Sequence, residues 1–279
     1  MDGRSPSRTA WGAANHRAAH QLLEHGSIFL DPAAVTIVDH PEAVIAEDAR
    51  AHPQRTPMRL FIAARHRRGD EVVAAAVGRG TRQVVVLGAG LDTTAYRLVA
   101  PAGTRVLEVD HPATQQWKRE QVARSGLEPR TELAHVGVDL EREPLLDALA
   151  AAGLDPRAGT VVLWLGVVPY LTRPAIGATL RAIGSLGGAE VVLDYSEPAS
   201  AHSPQMRAWR EARAARVAAV GEPWLSHYEP GEMHAVLEEA GLGVVRDDGA
   251  GGLIRGYLGL PPDPSRASGG HILHAATGG

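Results

Sequence analysis

Apolar and polar positions along this chain follow two different periods, and the change falls near residue 81. Before it, "TAWGAANHRAAHQLLEHG" (9–26) and "RLFIAARHRRGDEVVAAAVGRG" (59–80) space apolar residues three and four apart, as one face of a helix requires. Gly26 stops the first helix, and Gly78 and Gly80 break the second. Residues 1–10 lack this spacing and read as a flexible tail. After residue 81 come short β-branched runs: "QVVVLG" (83–88), "RVLEVD" (105–110), "LAHVGVD" (133–139), "TVVLWLG" (160–166) and "EVVLDYS" (190–196). Amphipathic segments such as "PATQQWKREQVARSG" and "RPAIGATLRAIGSLG" separate them. Runs that are apolar at successive positions need cover on both faces, which predicts a parallel sheet between two helical layers. Right-handed crossovers make it doubly wound. The pattern turns helical again after residue 196. Two further strands are expected, "GVVRDDG" (243–249) and "HILHAAT" (271–277), joined by a Gly/Pro-rich connection. The organisation expected is an N-terminal helical cap over 1–80 and a core over 81–279, with a helical lid inserted at about 197–240.

Composition narrows the classes. With 279 residues, 44% hydrophobic and 22% charged, the chain can bury the core of one large α/β domain. A net charge of −4 and a pI near 6.3 argue against a nucleic-acid or anionic-membrane partner. Lys118 is the only lysine among many arginines. With no cysteine there is no disulfide framework, thiolate metal site or Cys nucleophile, and no metal is expected. No apolar run approaches the ~20 residues of a membrane span. "MDGRSPSRTAWG" lacks a signal-peptide core, so the expected location is cytoplasmic.

The chemistry starts at "VVVLGAGLDTTAYRL" (84–98), where a strand runs into Gly88-Ala89-Gly90 and then Asp92. Such a turn lets backbone approach a ligand and offers the free N–H groups of a helix start. A dinucleotide fingerprint would need a third glycine, and Thr93 stands there. Asp92 would repel a pyrophosphate but tolerates a cationic ligand, and S-adenosylmethionine carries both a sulfonium and an ammonium. An ordinary tight turn without a ligand stays open at this point. Asp110, twenty residues after Gly90 at the end of the next run, can accept both hydroxyls of a ribose, whether in NAD or in S-adenosylmethionine. Glu108, by alternation, faces away. Asp139 ends the third run, so Gly88, Gly90, Asp110 and Asp139 fall at successive strand ends, where such folds bind ligands.

Together "QVVVLGAGLDTTAYRL", "RVLEVDHPATQQWKRE", "HVGVDLE" and "WLGVVPYLT" resemble the leucine carboxyl methyltransferase family, in its bacterial branch. "SIFLDPAA" (27–34) and "GEPWLSHYEPGEM" fit that branch too. The resemblance implies a class I methyltransferase (Rossmann-like) fold, with five parallel strands, a C-terminal antiparallel hairpin, and S-adenosyl-L-methionine as cofactor. It assigns Gly88 and Gly90, with Asp92, to the cofactor turn, Asp110 to the ribose, and Asp139 and Leu140 to the adenine. It also implies an arginine on the cofactor carboxylate, either Arg65 or Arg67. One departure stands out: Leu165 occupies a cofactor-side position where many relatives carry a glutamate. Tyr170 is retained.

Displacement at a sulfonium carbon requires mainly alignment. An ionised carboxylate acceptor needs no base, whereas a hydroxyl needs one, most often His. His111, His135, His227 and His234 are available, with His227 the one to test first as catalytic and Tyr170 as a second active-site group. Trp11, Trp209, Trp224 and Tyr228 are placed to meet an apolar substrate or to pack the cap. The reading is a small-molecule O-methyltransferase forming a methyl ester. The alternatives are hydroxyl methylation with a His base, a protein that binds the cofactor but has changed its chemistry, and an NAD-dependent reductase.

Overall fold

Gln83–Leu87 (β1) shows why the runs are strands covered on both sides. Val85 and Leu87 point into one buried cluster and Val84 and Val86 into another, so neither face meets water. The computed structural model describes residues 7–199, 204–219, 221–263 and 269–278. Four helices come first: α1 (Arg8–Leu23), α2 (Pro32–Val38), α3 (Glu42–Ala51) and α4 (Thr56–Gly78). After β1 follow α5 (Thr94–Arg97), β2 (Arg105–Asp110), α6 (Pro112–Ser125), β3 (Glu132–Gly137), α7 (Leu145–Ala151) and β4 (Thr160–Trp164). The chain continues with α8 (Arg173–Gly184), β5 (Ala189–Ser196), α9 (Pro204–Ala219), α10 (Pro230–Glu239), β6 (Leu242–Gly249), α11 (Ala250–Tyr257) and β7 (Gly270–Thr277).

The strands form one sheet in the order β3-β2-β1-β4-β5-β7-β6. The first five are parallel, and β7 runs antiparallel to both β5 and β6. This is the class I methyltransferase architecture, doubly wound with a terminal antiparallel hairpin. Strand order reverses between β1 and β4, which opens a crevice beyond their carboxyl ends. On one face, α4 lays Ala63, Ala64, Val72, Val73 and Ala76 against the sheet, and α1 to α3 pack outside it around Ile37 and Leu91.

Two local expectations are revised. The tail ends earlier than residue 10: Ser7 caps α1, its Oγ accepting from the Ala10 N–H at 3.0 Å. Residues 1–6 lie outside the described part. The Gly/Pro-rich connection contains a helix, α11, because Ala250 and Leu253 find a buried site against the sheet that outweighs the glycines' cost. No helix among the described residues is long and apolar enough to cross a membrane.

Candidate active site

The carboxyl ends of the parallel strands open into a cavity of about 1610 Å3, bounded by α1, α3, α4 and the segment 221–225. Gly88 and Gly90 line it with positive φ, +63° and +47°, a region L side chains rarely adopt. A Cβ on Gly88 would also fall 2.3 Å from Val167 Cγ2. The turn is tied to the neighbouring strand through Asp110: Gly90 N–H donates to Oδ2 and His111 N–H to Oδ1, each at 2.6 Å. Burial pushes the Asp110 carboxyl up to about 6, against the pull of those two donors. Each oxygen retains a lone pair, enough to accept the two hydroxyls of a ribose.

Asp92 lines the cavity wall but bonds inward. Its Oδ1 accepts from Thr94 N–H at 2.7 Å. Burial alone would raise its pKa, but Arg97, Lys118, His66 and Arg17 hold it well below the usual carboxylate range. Its negative charge is thus met inside the protein, and its presence says less about the ligand's charge than the sequence suggested. Thr93, at the position of the missing third glycine, donates to Asp31 Oδ2 at 2.8 Å and accepts from Arg97 Nε at 3.0 Å. Asp31 in turn takes Arg17 Nε at 2.9 Å, while Arg17 Nη2 donates to the Leu91 carbonyl at 2.5 Å. The "SIFLDPAA" segment therefore braces the turn through Asp31. Beneath it, Lys118 donates to the Asp92 carbonyl at 2.7 Å and pairs with Glu108, also at 2.7 Å. Glu108 is fully buried against this lysine, on the face away from the ligand cavity.

The two arginine candidates separate. Arg65 is buried on the cavity wall, its Nη1 donating to Asp194 Oδ2 at 3.1 Å. Its Nε has no hydrogen-bond partner among the described residues. The guanidinium packs on Gly166, where a Cβ would lie 2.6 Å from both terminal nitrogens. Arg67 lies one helical step away from the cavity, on Glu71 at 3.0 Å and over the Tyr257 ring at 4.0 Å. It does not line the cavity. Leu165 lines the cavity beside Gly166.

Asp139 and Leu140 also line the cavity at the end of β3. Asp139 Oδ1 accepts from Glu141 N–H at 3.0 Å, and Oδ2 pairs with the exposed Arg142 at 3.1 Å. Tyr170 ends a short 3-10 turn, Val168–Tyr170, and reaches the same cavity. His227 does not line it. The His227 ring sits 3.1 Å from Ser196 Oγ and edge-on to Trp224, because the segment after α9 turns the ring toward β5. His234 is bonded to Asp247 at 2.8 Å, and His135 lies 3.5 Å from Glu108. Trp11 and Trp224 line the cavity, whereas Tyr228 is buried in the core under Arg173. The Trp209 side chain lies outside the described part.

The cavity also holds Glu222, in the "GEPWLSHYEPGEM" segment, to which the sequence alone gives no role. Its carboxylate accepts from Arg8 N–H at 2.9 Å, Thr9 N–H at 3.1 Å and the Thr9 hydroxyl, joining the segment after α9 to the start of α1. Two glycines with positive φ, an acid with spare lone pairs and a buried guanidinium with an orphaned nitrogen fit a zwitterionic nucleoside such as S-adenosylmethionine.

The comparisons decide the family. The model of leucine carboxyl methyltransferase matches residues 10–184. The chain belongs to the leucine carboxyl methyltransferase family. Its class is that of the S-adenosylmethionine-dependent methyltransferases, with S-adenosylmethionine as cofactor. A relative from Mycobacterium ulcerans, named for S-adenosyl-L-methionine-dependent methyl transfer, is 33% identical over 244 residues, covering 81% of this chain and 75% of that one. A Mycolicibacterium paratuberculosis protein of the same name is 45% identical over 129 residues, 46% of this chain and 41% of its own, so that match spans under half of each. Two solved structures share the fold. A DUF574 family protein from Streptomyces avermitilis aligns at TM-score 0.59 and 18% identity, over 94% of this chain and 97% of its own. A Thermobifida fusca protein aligns at TM-score 0.60 and 15% identity, over 100% and 97%. The leucine carboxyl methyltransferase signature thus covers the glycine turn, Asp110, Asp139 and the Leu165 departure.

Proposed function

We propose that this member of the family methylates the carboxylate of a small molecule, forming a methyl ester. When bound, S-adenosylmethionine supplies a methyl group on a sulfonium, open to in-line displacement. Gly88 and Gly90 give the close backbone approach, Asp110 takes the ribose, Asp139 and Leu140 face the adenine, and Arg65 takes the cofactor carboxylate. The acceptor would lie under Trp11, Met58, Trp224 and Leu225, with the Tyr170 hydroxyl to hydrogen-bond its oxygen. That lining suits an apolar body carrying one polar group, and the cavity is large enough for it beside the cofactor.

The observation that carries the ester reading is where the imidazole singled out as a base goes. His227 faces Ser196 rather than the cavity. His66 is driven well below the usual histidine range by burial and by Arg17 and Arg65, and its Nδ1 is held on the Ile62 carbonyl at 2.7 Å. His111 uses Nδ1 to accept the Ala113 N–H at 3.3 Å. His16 and His40 line the cavity too, and His40, whose Nδ1 donates to the Val38 carbonyl at 3.0 Å, keeps its Nε2 lone pair, so His40→Gln is the variant that separates base-assisted from base-free transfer. With His227 turned away from the cavity and His66 bonded under Arg17, a reaction that needs no base fits better than one that relies on either of them.

The test is transfer of methyl-labelled S-adenosylmethionine to a panel of small aromatic and aliphatic carboxylic acids, with matched phenols and alcohols. Label should enter acids only and be released as methanol by mild alkali. Alkali-stable label on a phenol would replace the ester reading with ether formation.

A further inference from the structure

Asp194 belongs to no binding role assigned so far, yet it is a buried acid between apolar residues of β5 and it opens on the cofactor cavity. The β4–β5 register sets Trp164 opposite Leu193. The next positions on the two chains are Leu165 and Asp194, and both line the cavity. The side chain that fails to carry an acid at the end of β4 therefore has an acid beside it at the end of β5.

The Asp194 carboxylate touches two groups. Gly166 N–H donates to Oδ1, and Arg65 Nη1 donates to Oδ2 at 3.1 Å. Two lone-pair positions remain, one on each oxygen. Arg65 has Asp194 as its one hydrogen-bond partner among the described residues, with Nε buried and unpartnered. Asp194 and Arg65 thus form a buried pair of opposite charges, each with unused hydrogen-bonding capacity, on the wall next to the glycine turn.

The amino-acid end of the cofactor is the complement of that pair, a carboxylate and an ammonium on one carbon. The other cavity-lining acids have other positions. Asp110 is bound to the turn and faces the ribose side, Asp139 is at the end of β3, and Asp92 is compensated internally. Asp48 pairs with Arg55, Glu141 with Thr172, and Glu222 with α1.

We propose that Asp194 binds the cofactor's α-ammonium while Arg65 binds its α-carboxylate, so that the acid lost at Leu165 is supplied from the adjacent strand. This rests on S-adenosylmethionine being the cofactor. Gly166 is required by the same geometry, since any side chain there would strike the Arg65 guanidinium.

The test uses four unreactive or truncated ligands and calorimetric titration of the full chain: S-adenosylhomocysteine, decarboxylated S-adenosylmethionine, its deaminated analogue, and methylthioadenosine. Asp194→Asn should weaken S-adenosylhomocysteine and the decarboxylated ligand by about 10- to 100-fold, since both keep the ammonium. The deaminated analogue and methylthioadenosine should bind the variant as they bind the wild type, which also shows that the variant is folded. Leu165→Glu on the Asp194→Asn background should restore at least part of the loss. If the decarboxylated ligand is unaffected while S-adenosylhomocysteine is weakened, Asp194 only holds Arg65 and the proposal fails. If Asp194→Asn does not fold, the wild type alone decides: binding S-adenosylhomocysteine no better than its deaminated analogue would equally overturn the proposal. Failure of the wild type to bind any of the four would reject the cofactor itself, a result distinct from these.

Discussion

Lys118 Nζ donates to the backbone carbonyl of Asp92 at 2.7 Å, so the chain's only lysine supports the cofactor turn from below. The same nitrogen neutralises the buried Glu108 at 2.7 Å. Removing one partner of a buried pair leaves an uncompensated charge, which costs about 3–5 kcal/mol, whereas replacing both with apolar groups is often near neutral. Lys118→Met should therefore lower stability by about that amount in chemical denaturation. Adding Glu108→Leu should recover most of it. Equal loss in the single and double variants would show that the pair itself is not the source.

Glu222 caps α1 from another part of the chain, and its loss should loosen the roof of the cavity. Glu222→Ala should cost about 1–2 kcal/mol, the usual range for losing a helix cap. Amide exchange should speed up at Arg8 and Thr9, whose N–H groups it accepts. Unchanged exchange there would mean that the carboxylate does not hold the helix in solution.

Asp110 gives cofactor binding a pH dependence. With its carboxyl near 6 in the ligand-free protein, the ionised form that accepts both ribose hydroxyls is depleted below that pH. Affinity for S-adenosylhomocysteine should fall as pH drops through 6, approaching about tenfold per further unit. Asp110→Asn should bind weakly at all pH values and lose that slope. The folded-state shift is upward for an acid, so Asp110 also costs the empty protein stability as pH rises from about 4 through about 6, with no further loss above.

Away from the cavity, Asp247 gathers His271 Nδ1 at 2.9 Å, His234 Nε2 at 2.8 Å and the Tyr195 hydroxyl at 2.6 Å. Burial lowers the His271 pKa, but the bond and charge of Asp247 and the charge of Glu197 outweigh it and raise the group. A raised histidine stabilises fully below its unfolded pKa, and that contribution is lost as pH climbs through the folded value. Thermal unfolding followed from pH ~6 to ~9 should show a declining limb that flattens in His271→Gln. A parallel decline in both proteins would exclude this pair as the cause.

The sheet was readable because apolar residues on both sides of β1 leave no other stable placement, and Asp110 because its distance from the turn follows from one crossover. Asp92 was visible as a charge but not as a compensated one, since Arg17, Arg97 and Lys118 reach it from three different elements. His227 looked placed for catalysis, yet one turn of backbone after α9 sends its ring to Ser196. Glu222 bonds across 214 positions to Arg8, a relation that no local pattern encodes. Asp194 did leave a trace, an acid in the apolar middle of a buried strand, and its meaning came only from the register beside Leu165.

Calorimetric titration of S-adenosylhomocysteine into the wild type and Asp110→Ala tests the cofactor site most directly. The wild type should bind one equivalent, and the variant should lose about two orders of magnitude in affinity, as expected for several lost charge-assisted bonds. No binding by the wild type, or equal binding by both, would contradict a ribose held at Asp110 beside the Gly88–Gly90 turn.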